Sequence, residues 1–171
     1  MQHPRDRVGR FAPKPTTEVV EIPGIRTSAL PWGNRNPHPR SGINEEYYSH
    51  GQLRLTTFLN NAGELQDMAP GIPAVVEYWP TGGVRRRSFY SHGVLRDPSP
   101  GSPAVTEFYS HGSVRRAEYY DTEGRLHDPF PGAAAVVEYY ATGTATGTVR
   151  YQEYYSHGEP ACGVVSRFVV R

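Results

Sequence analysis

The string Tyr-Ser-His-Gly occurs four times, at residues 48–51, 90–93, 109–112 and 155–158. Repeated imidazoles are the raw material of metal sites and pH sensors, and a serine hydroxyl beside a histidine is that of nucleophilic catalysis. The surroundings argue against both. In the other copies of the same slot stand Pro80-Thr81, Ala141-Thr142, Asn60-Asn61-Ala62 and Asp121-Thr122-Glu123. Small polar residues thus replace one another freely, which a turn tolerates and a metal site does not. No carboxylates or cysteines cluster with the histidines, and Cys162 is the only cysteine, so neither an intrachain disulfide nor a Cys-rich zinc cluster can form. Adjacent turn residues are expected to point hydroxyl and imidazole apart, with no third group to orient the ring. The sequence predicts no catalytic residues, no metal site and no cofactor; a glycine-rich phosphate loop is missing as well.

The acids and arginines have a structural reading. Glu46, Glu77 and Glu107 each precede an arginine by eight residues, Arg54, Arg85 and Arg115. Across a three-residue turn such positions are expected to face each other directly as cross-strand ion pairs. The fourth copy, Glu138, has Thr146 at eight and Arg150 at twelve. In the run Arg85-Arg86-Arg87, side chains alternate between faces of a strand, so at most two share a patch; this is expected to be a solvated edge or a partner contact.

The elements that must carry these residues repeat. Glu46-Tyr47-Tyr48, Glu77-Tyr78-Trp79, Glu107-Phe108-Tyr109 and Glu138-Tyr139-Tyr140 are spaced by 31, 30 and 31 residues. A period in this range marks a repeat architecture, each unit burying its apolar face against its neighbours. A weaker second copy follows: Thr57-Phe58-Leu59, Ser88-Phe89-Tyr90, Glu118-Tyr119-Tyr120, and Glu153-Tyr154-Tyr155 after a four-residue insertion, Thr144-Ala145-Thr146-Gly147. Each half closes on a glycine: Gly51, Gly63, Gly82, Gly93, Gly112, Gly124, Gly143 and Gly158. Glycine reaches positive φ without steric cost, as a three-residue hairpin loop ending in a bulge requires. For the second unit this predicts a strand over 74–79, a turn at 80–82, a strand over 84–90, a turn at 91–93 and a short strand over 94–96. The linkers, such as Asp97-Pro98-Ser99-Pro100-Gly101-Ser102-Pro103 and Asp128-Pro129-Phe130-Pro131-Gly132-Ala133, lie outside the ladders because proline cannot donate to them. The fold class predicted is all-β, an elongated antiparallel meander of β-hairpin repeats in a single-layer or solenoid-like sheet. Its units are 43–72, 73–102, 103–132 and 133–160, followed by a C-terminal capping strand over 161–171.

Residues 1–42 read as a separate, proline-rich arm, extended or disordered, with Val19, Val20 and Ile22 adding an edge strand. The arm carries net +4 and the remainder −3, within an overall charge of +1. Arg5, Arg7, Arg10 and Lys14 are the nucleic-acid candidates, since they could meet phosphates. Four dispersed charges on an acidic body argue against nucleic acid as the main partner, which would call for a dense basic stripe. No apolar run approaches the roughly 18 residues of a membrane span, and no signal-peptide core is present, so a soluble intracellular protein with no membrane role is expected.

The alternation Pro-Ala-Val-Val-Glu-Tyr-Trp-Pro-Thr-Gly-Gly at 73–83, followed by Ser-Phe-Tyr-Ser-His-Gly-Val-Leu-Arg-Asp at 88–97, resembles the variant MORN-type repeat of bacterial, phage and giant-virus proteins. Leu126-His127-Asp128 and Gly101-Ser102-Pro103-Ala104 match parts of that pattern, while the extra linker prolines and the insertion after Gly143 depart from it. The resemblance covers roughly 43–160. It implies a scaffold reused for many partners, with some family members antitoxin-like. The protein is expected to be cytoplasmic, or virion-associated if phage-encoded. With exposed aromatic and arginine side chains as the usual interface anchors, Tyr78, Trp79, Tyr109, Tyr140, Arg85, Arg86 and Arg87 are the interface candidates for a protein partner. Self-association through open sheet edges is a second expectation.

Overall fold

Valine, tyrosine and threonine alternating with charged residues, punctuated by glycine and proline, leave the chain no option but short antiparallel strands. The computed structural model describes residues 21–22, 25–26, 41–141 and 147–161, and among them there is no helix. The arm charges Arg5, Arg7, Arg10 and Lys14, the residues Val19 and Val20, Gly143 with most of the insertion, and residues 162–171 of the expected capping strand lie outside the described residues.

Fourteen strands form: β1 (Glu21–Ile22), β2 (Ile25–Arg26), β3 (Gly42–Tyr48), β4 (Leu53–Leu59), β5 (Val75–Tyr78), β6 (Val84–Ser88), β7 (Tyr90–Ser91), β8 (Val94–Leu95), β9 (Val105–Phe108), β10 (Val114–Glu118), β11 (Val136–Tyr139), β12 (Val149–Glu153), β13 (Tyr155–Ser156) and β14 (Glu159–Pro160). Ten of them make one sheet, in the order β1-β2-β3-β4-β5-β6-β9-β10-β11-β12. The sheet is an antiparallel meander with two open ends. Each unit contributes one long hairpin to it, and the second strand of one unit pairs with the first strand of the next. The β1–β2 ribbon extends it beyond β3 through Ile25↔Tyr48 and Arg26↔Tyr47.

The expected continuous strand over 84–90 does not form. The chain leaves the sheet at Phe89, whose amide donates to the Ala104 carbonyl and whose carbonyl accepts from Arg96. Residues 90–95 then fold as a separate hairpin, β7–β8. Equivalent side hairpins follow the other units: the bridges Leu59↔Leu65 and Tyr120↔Leu126, and the pair β13–β14. The molecule therefore has a main sheet and a parallel row of four small hairpins.

One aspartate per linker joins the two rows. Asp67 Oδ1 accepts from the amides of Ala74 (3.1 Å) and Tyr90 (2.8 Å). Asp97 Oδ1 does the same with Ala104 and Tyr120, both at 2.9 Å, and Asp128 Oδ1 with Ala135 (3.0 Å) and Tyr155 (2.9 Å). Each aspartate's own amide donates to the carbonyl of the same tyrosine. A single carboxylate thus fixes the start of the next unit's first strand and its side hairpin together, through charge-assisted bonds.

The turns sort into two kinds. At 48–52, 60–64 and 121–125 the loop has three residues and ends on a glycine with positive φ, as expected. Ser91-His92-Gly93-Val94 and Ser156-His157-Gly158-Glu159 are instead two-residue turns with positive φ at both central residues, His92 at 51° and His157 at 52°. This is the type I′ geometry that matches strand twist, and histidine tolerates it because it is not β-branched. The shorter turn also accounts for the 30-residue spacing between the second and third anchors. The real period is then two units: Tyr-Ser-His-Gly recurs 61 residues apart in the three-residue turns at 48 and 109, and lies in the two-residue turns of the even units.

Burial is concentrated in the middle and the later part of the sheet. Val105 and Val136 are almost fully buried, with Ala104, Ala135 and Ser88 beside them. The small alanines follow the aspartate linkers, where the two rows of structure meet most closely.

Candidate interaction surface

Antiparallel register places directly paired residues on one face. Following it strand by strand from β3 to β12 gives a single row: Glu46, Leu55, Glu77, Arg86, Glu107, Arg116, Glu138 and Tyr151. Glutamates from the first strand of each unit alternate with a variable residue from the second. The parallel row two positions along reads Asn44, Thr57, Val75, Ser88, Val105, Glu118, Val136 and Glu153.

Glu46, Glu77 and Glu107 do contact Arg54, Arg85 and Arg115, at 3.0, 3.9 and 3.7 Å, but they do not face them directly. The register opposes Glu46 with Leu55, Glu77 with Arg86 and Glu107 with Arg116. A bulge in each hairpin takes up one extra residue, and the arginine is that residue. Arg150 holds the same bulge position in the fourth unit, between Tyr139↔Val149 and Glu138↔Tyr151.

The two central arginines of the row sit in unequal surroundings. Arg116 donates from Nε to Glu118 Oε1 (2.5 Å) and from Nη1 to Glu138 Oε1 (2.7 Å). Burial works against its charge, but the two carboxylates outweigh burial and hold its pKa above the usual guanidinium range. Arg86 has Ser88 where Arg116 has Glu118, and its carboxylate contact is Glu77 at 3.9 Å. Its Nε is buried with no hydrogen-bond partner, and so is Nε1 of Trp79.

The two residues that carry these donors line one cleft of about 280 Å³ on the second and third units, together with Glu77, Arg85, Glu107, Phe108 and Arg115. The Arg85 guanidinium lies 5.1 Å from the Trp79 ring centre. Three cations face two carboxylates there, and all three ion pairs are stretched to 3.7–3.9 Å.

Of the sequence candidates, Trp79, Arg85 and Arg86 come together in this cleft. By register Arg87 lies on the opposite face, but its guanidinium sits 5.3 Å from the ring of Phe108, which also lines the cleft. Tyr78 is half-buried, and its carbonyl accepts the Tyr48 hydroxyl at 2.8 Å. Tyr109 donates likewise to the Tyr139 carbonyl (2.8 Å) and stacks on His111 at 5.5 Å. These tyrosines bind unit to unit, and Tyr140 is also half-buried. The large exposed apolar side chains are others: Met68, Ile72 and Phe130 in the linkers, with Ile43 and Val94. Glu77, Glu107 and Arg115 were legible as ion-pair residues from their spacing, but their convergence on Trp79 depends on the bulges.

The serine–histidine expectation needs correction. Ser91 Oγ lies 3.2 Å from His92 Nδ1, and Ser156 Oγ 3.2 Å from His157 Nδ1. Positive φ at the histidine swings the ring back over the preceding hydroxyl. Ser113 Oγ also meets His111 Nε2 at 2.8 Å. All three pairs are exposed. Among the described residues no group of three or more His, Cys, Asp or Glu side chains could hold a metal ion. His127 is the exception to turn placement: its Nε2 lies 3.2 Å from Asp97 Oδ2, on the linker aspartate.

No protein-family model, curated protein or solved structure matches this chain.

Proposed function

We propose that the protein is a non-catalytic β-repeat module that binds another protein, with the central face of its sheet as the docking surface. The observation that carries this reading is the Arg85–Arg86–Trp79 cleft, an arginine–aromatic cluster of the composition favoured at interface centres. The cross-bracing by Asp67, Asp97 and Asp128 supports it, because a stiff platform loses little entropy on binding. The resemblance to variant MORN-type repeats fits a neutralising, antitoxin-like partner. A component of a phage or cell-surface assembly is the second reading, favoured by the open ends of the sheet. The test is capture of tagged full-length protein from its native host lysate, with protein identification by mass spectrometry. One stoichiometric partner retained in high salt is the expected result. Recovery of the chain alone, or of nucleic acid only at low salt, would sink the module reading.

A further inference from the structure

The sheet carries an internal template for what its central cleft lacks. Arg86 and Arg116 occupy equivalent positions of consecutive units, on the same face and in the same row. Arg116 is saturated by carboxylates from Glu118 and Glu138 at 2.5 and 2.7 Å. Arg86 sits between Glu77 and Glu107 in register, yet its ion pair with Glu77 is long at 3.9 Å, and Ser88 stands where Arg116 has the acid Glu118.

We infer that the Arg85–Arg86–Arg115 cleft is a receptor for the carboxylates of an acidic peptide segment on the partner, docked against the Trp79 indole. This rests on the protein-binding reading above and names the chemistry that reading would use. The side-chain carboxylate of Asp or Glu is the group this sheet already uses to saturate the equivalent arginine. Arginine's planar fork donates two parallel N–H bonds to a carboxylate. Glu77 and Glu107 on the cleft wall disfavour a dianionic phosphate more strongly than a singly charged carboxylate, which sets the choice between the two oxyanions. Stretched pairs at 3.7–3.9 Å leave guanidinium donors free to turn to a ligand, and the side chain of Arg85 is half exposed. At about 280 Å³ the cleft has room for one or two carboxylates, so the rest of the segment lies across it as an extended strand does.

Trp79 provides a local reporter. The chain has two tryptophans, so Trp32→Phe in the full-length protein leaves Trp79 alone. In that background, an acetylated and amidated hexaglutamate peptide is expected to change Trp79 fluorescence saturably at low salt, with weakening as salt is raised. Arg86→Gln and Arg85→Gln each weaken the binding about tenfold, the weight of one charge-assisted contact. Arg125→Gln, on the side hairpin of the third unit and outside the cleft lining, leaves it unchanged. Far-ultraviolet circular dichroism and thermal melting confirm that each variant is folded; Arg85 and Arg115, being solvent-exposed, decide the matter if Arg86→Gln unfolds. A lack of saturable change, an equal loss from Arg125→Gln, or inorganic phosphate binding as tightly as the peptide overturns the inference. A captured partner whose affinity is untouched by Arg85→Gln removes the cleft and leaves the module. Specific peptide binding with no captured partner does the reverse.

Discussion

The linker aspartates concentrate more structural consequence in one atom than any other residue described. Asp97 Oδ1 takes two amides from separate segments, so Asp97→Ala leaves two half-buried donors without an acceptor. A loss of about 2–4 kcal/mol is expected in urea denaturation. Asp97→Asn keeps the oxygen and removes the charge. Burial pushes the Asp97 carboxyl up, against the opposing effect of the Tyr120 amide and His127, so the charge itself is costly there. The asparagine variant is therefore expected to lose less than half as much as the alanine variant; an equal loss would show that charge, not the acceptor, is what matters. Tyr120 offers a second reading at this scale. Burial, followed by the charge and hydrogen bond of Glu118, pushes its hydroxyl up to about 12. The folded state then holds a proton that the unfolded state releases near pH 10, so stability falls as pH rises through the window from about 10 to about 12. Ultraviolet titration of tyrosinate in Tyr120→Phe should lack the latest step of the parent protein.

At the scale of elements, the same four residues fold two ways. Tyr-Ser-His-Gly closes three-residue turns at 48–51 and 109–112 and two-residue turns at 90–93 and 155–158. Only in the second kind does histidine hold positive φ. His92→Asn is expected to stabilise by about 0.5 kcal/mol and His92→Val to destabilise by about 1–2 kcal/mol, with His50 indifferent to both, as thermal melts would show. The side hairpins also stack through glycines. A Cβ at Gly124 would meet Val94 Cγ1 at 3.1 Å, whereas one at Gly51 would meet nothing within 4 Å. Both have positive φ, so Gly51→Ala reports backbone strain of about 1 kcal/mol, and the excess loss in Gly124→Ala measures the contact between consecutive hairpins. Equal losses would mean that the hairpin row adjusts freely.

For the whole molecule, each unit touches its neighbours through strand pairs, a tyrosine-to-carbonyl bond in alternate junctions and an aspartate staple. Such an array behaves as a chain of nearest-neighbour couplings. The largest fully buried side chains, Ser88, Val105 and Val136, fall on β6, β9 and β11. Native-state hydrogen exchange should find the slowest amides at the β6–β9 and β10–β11 junctions, with faster exchange at β3 and β12. Uniform protection from β3 to β12 would instead indicate one cooperative block. Val136→Ala is expected to cost about 2 kcal/mol at the protected centre, while Val94→Ala, on an exposed hairpin, costs a fraction of that.

Sequence periodicity by itself determined the strands, the glycine-closed turns and the meander order, because these follow from local rules: period-two alternation, positive φ at glycine and proline's missing donor. Glu46, Glu77 and Glu107 with their arginines eight residues on were also legible as pairs. What the sequence could not settle was where the chain leaves the sheet. Phe89 looks like any strand residue, and only the bond from its amide to Ala104, in the next unit, turns it out. The linker aspartates likewise read as turn residues until the tyrosine amides 23 to 27 residues away come into reach. Three-dimensional register decided the cleft too. One bulge per hairpin shifts Arg85 off the position facing Glu77 and brings Arg86 there, and neighbouring strands set Arg86 beside Glu107. Local chemistry fixes elements residue by residue, but a site made from four strands exists only once their registers are locked together.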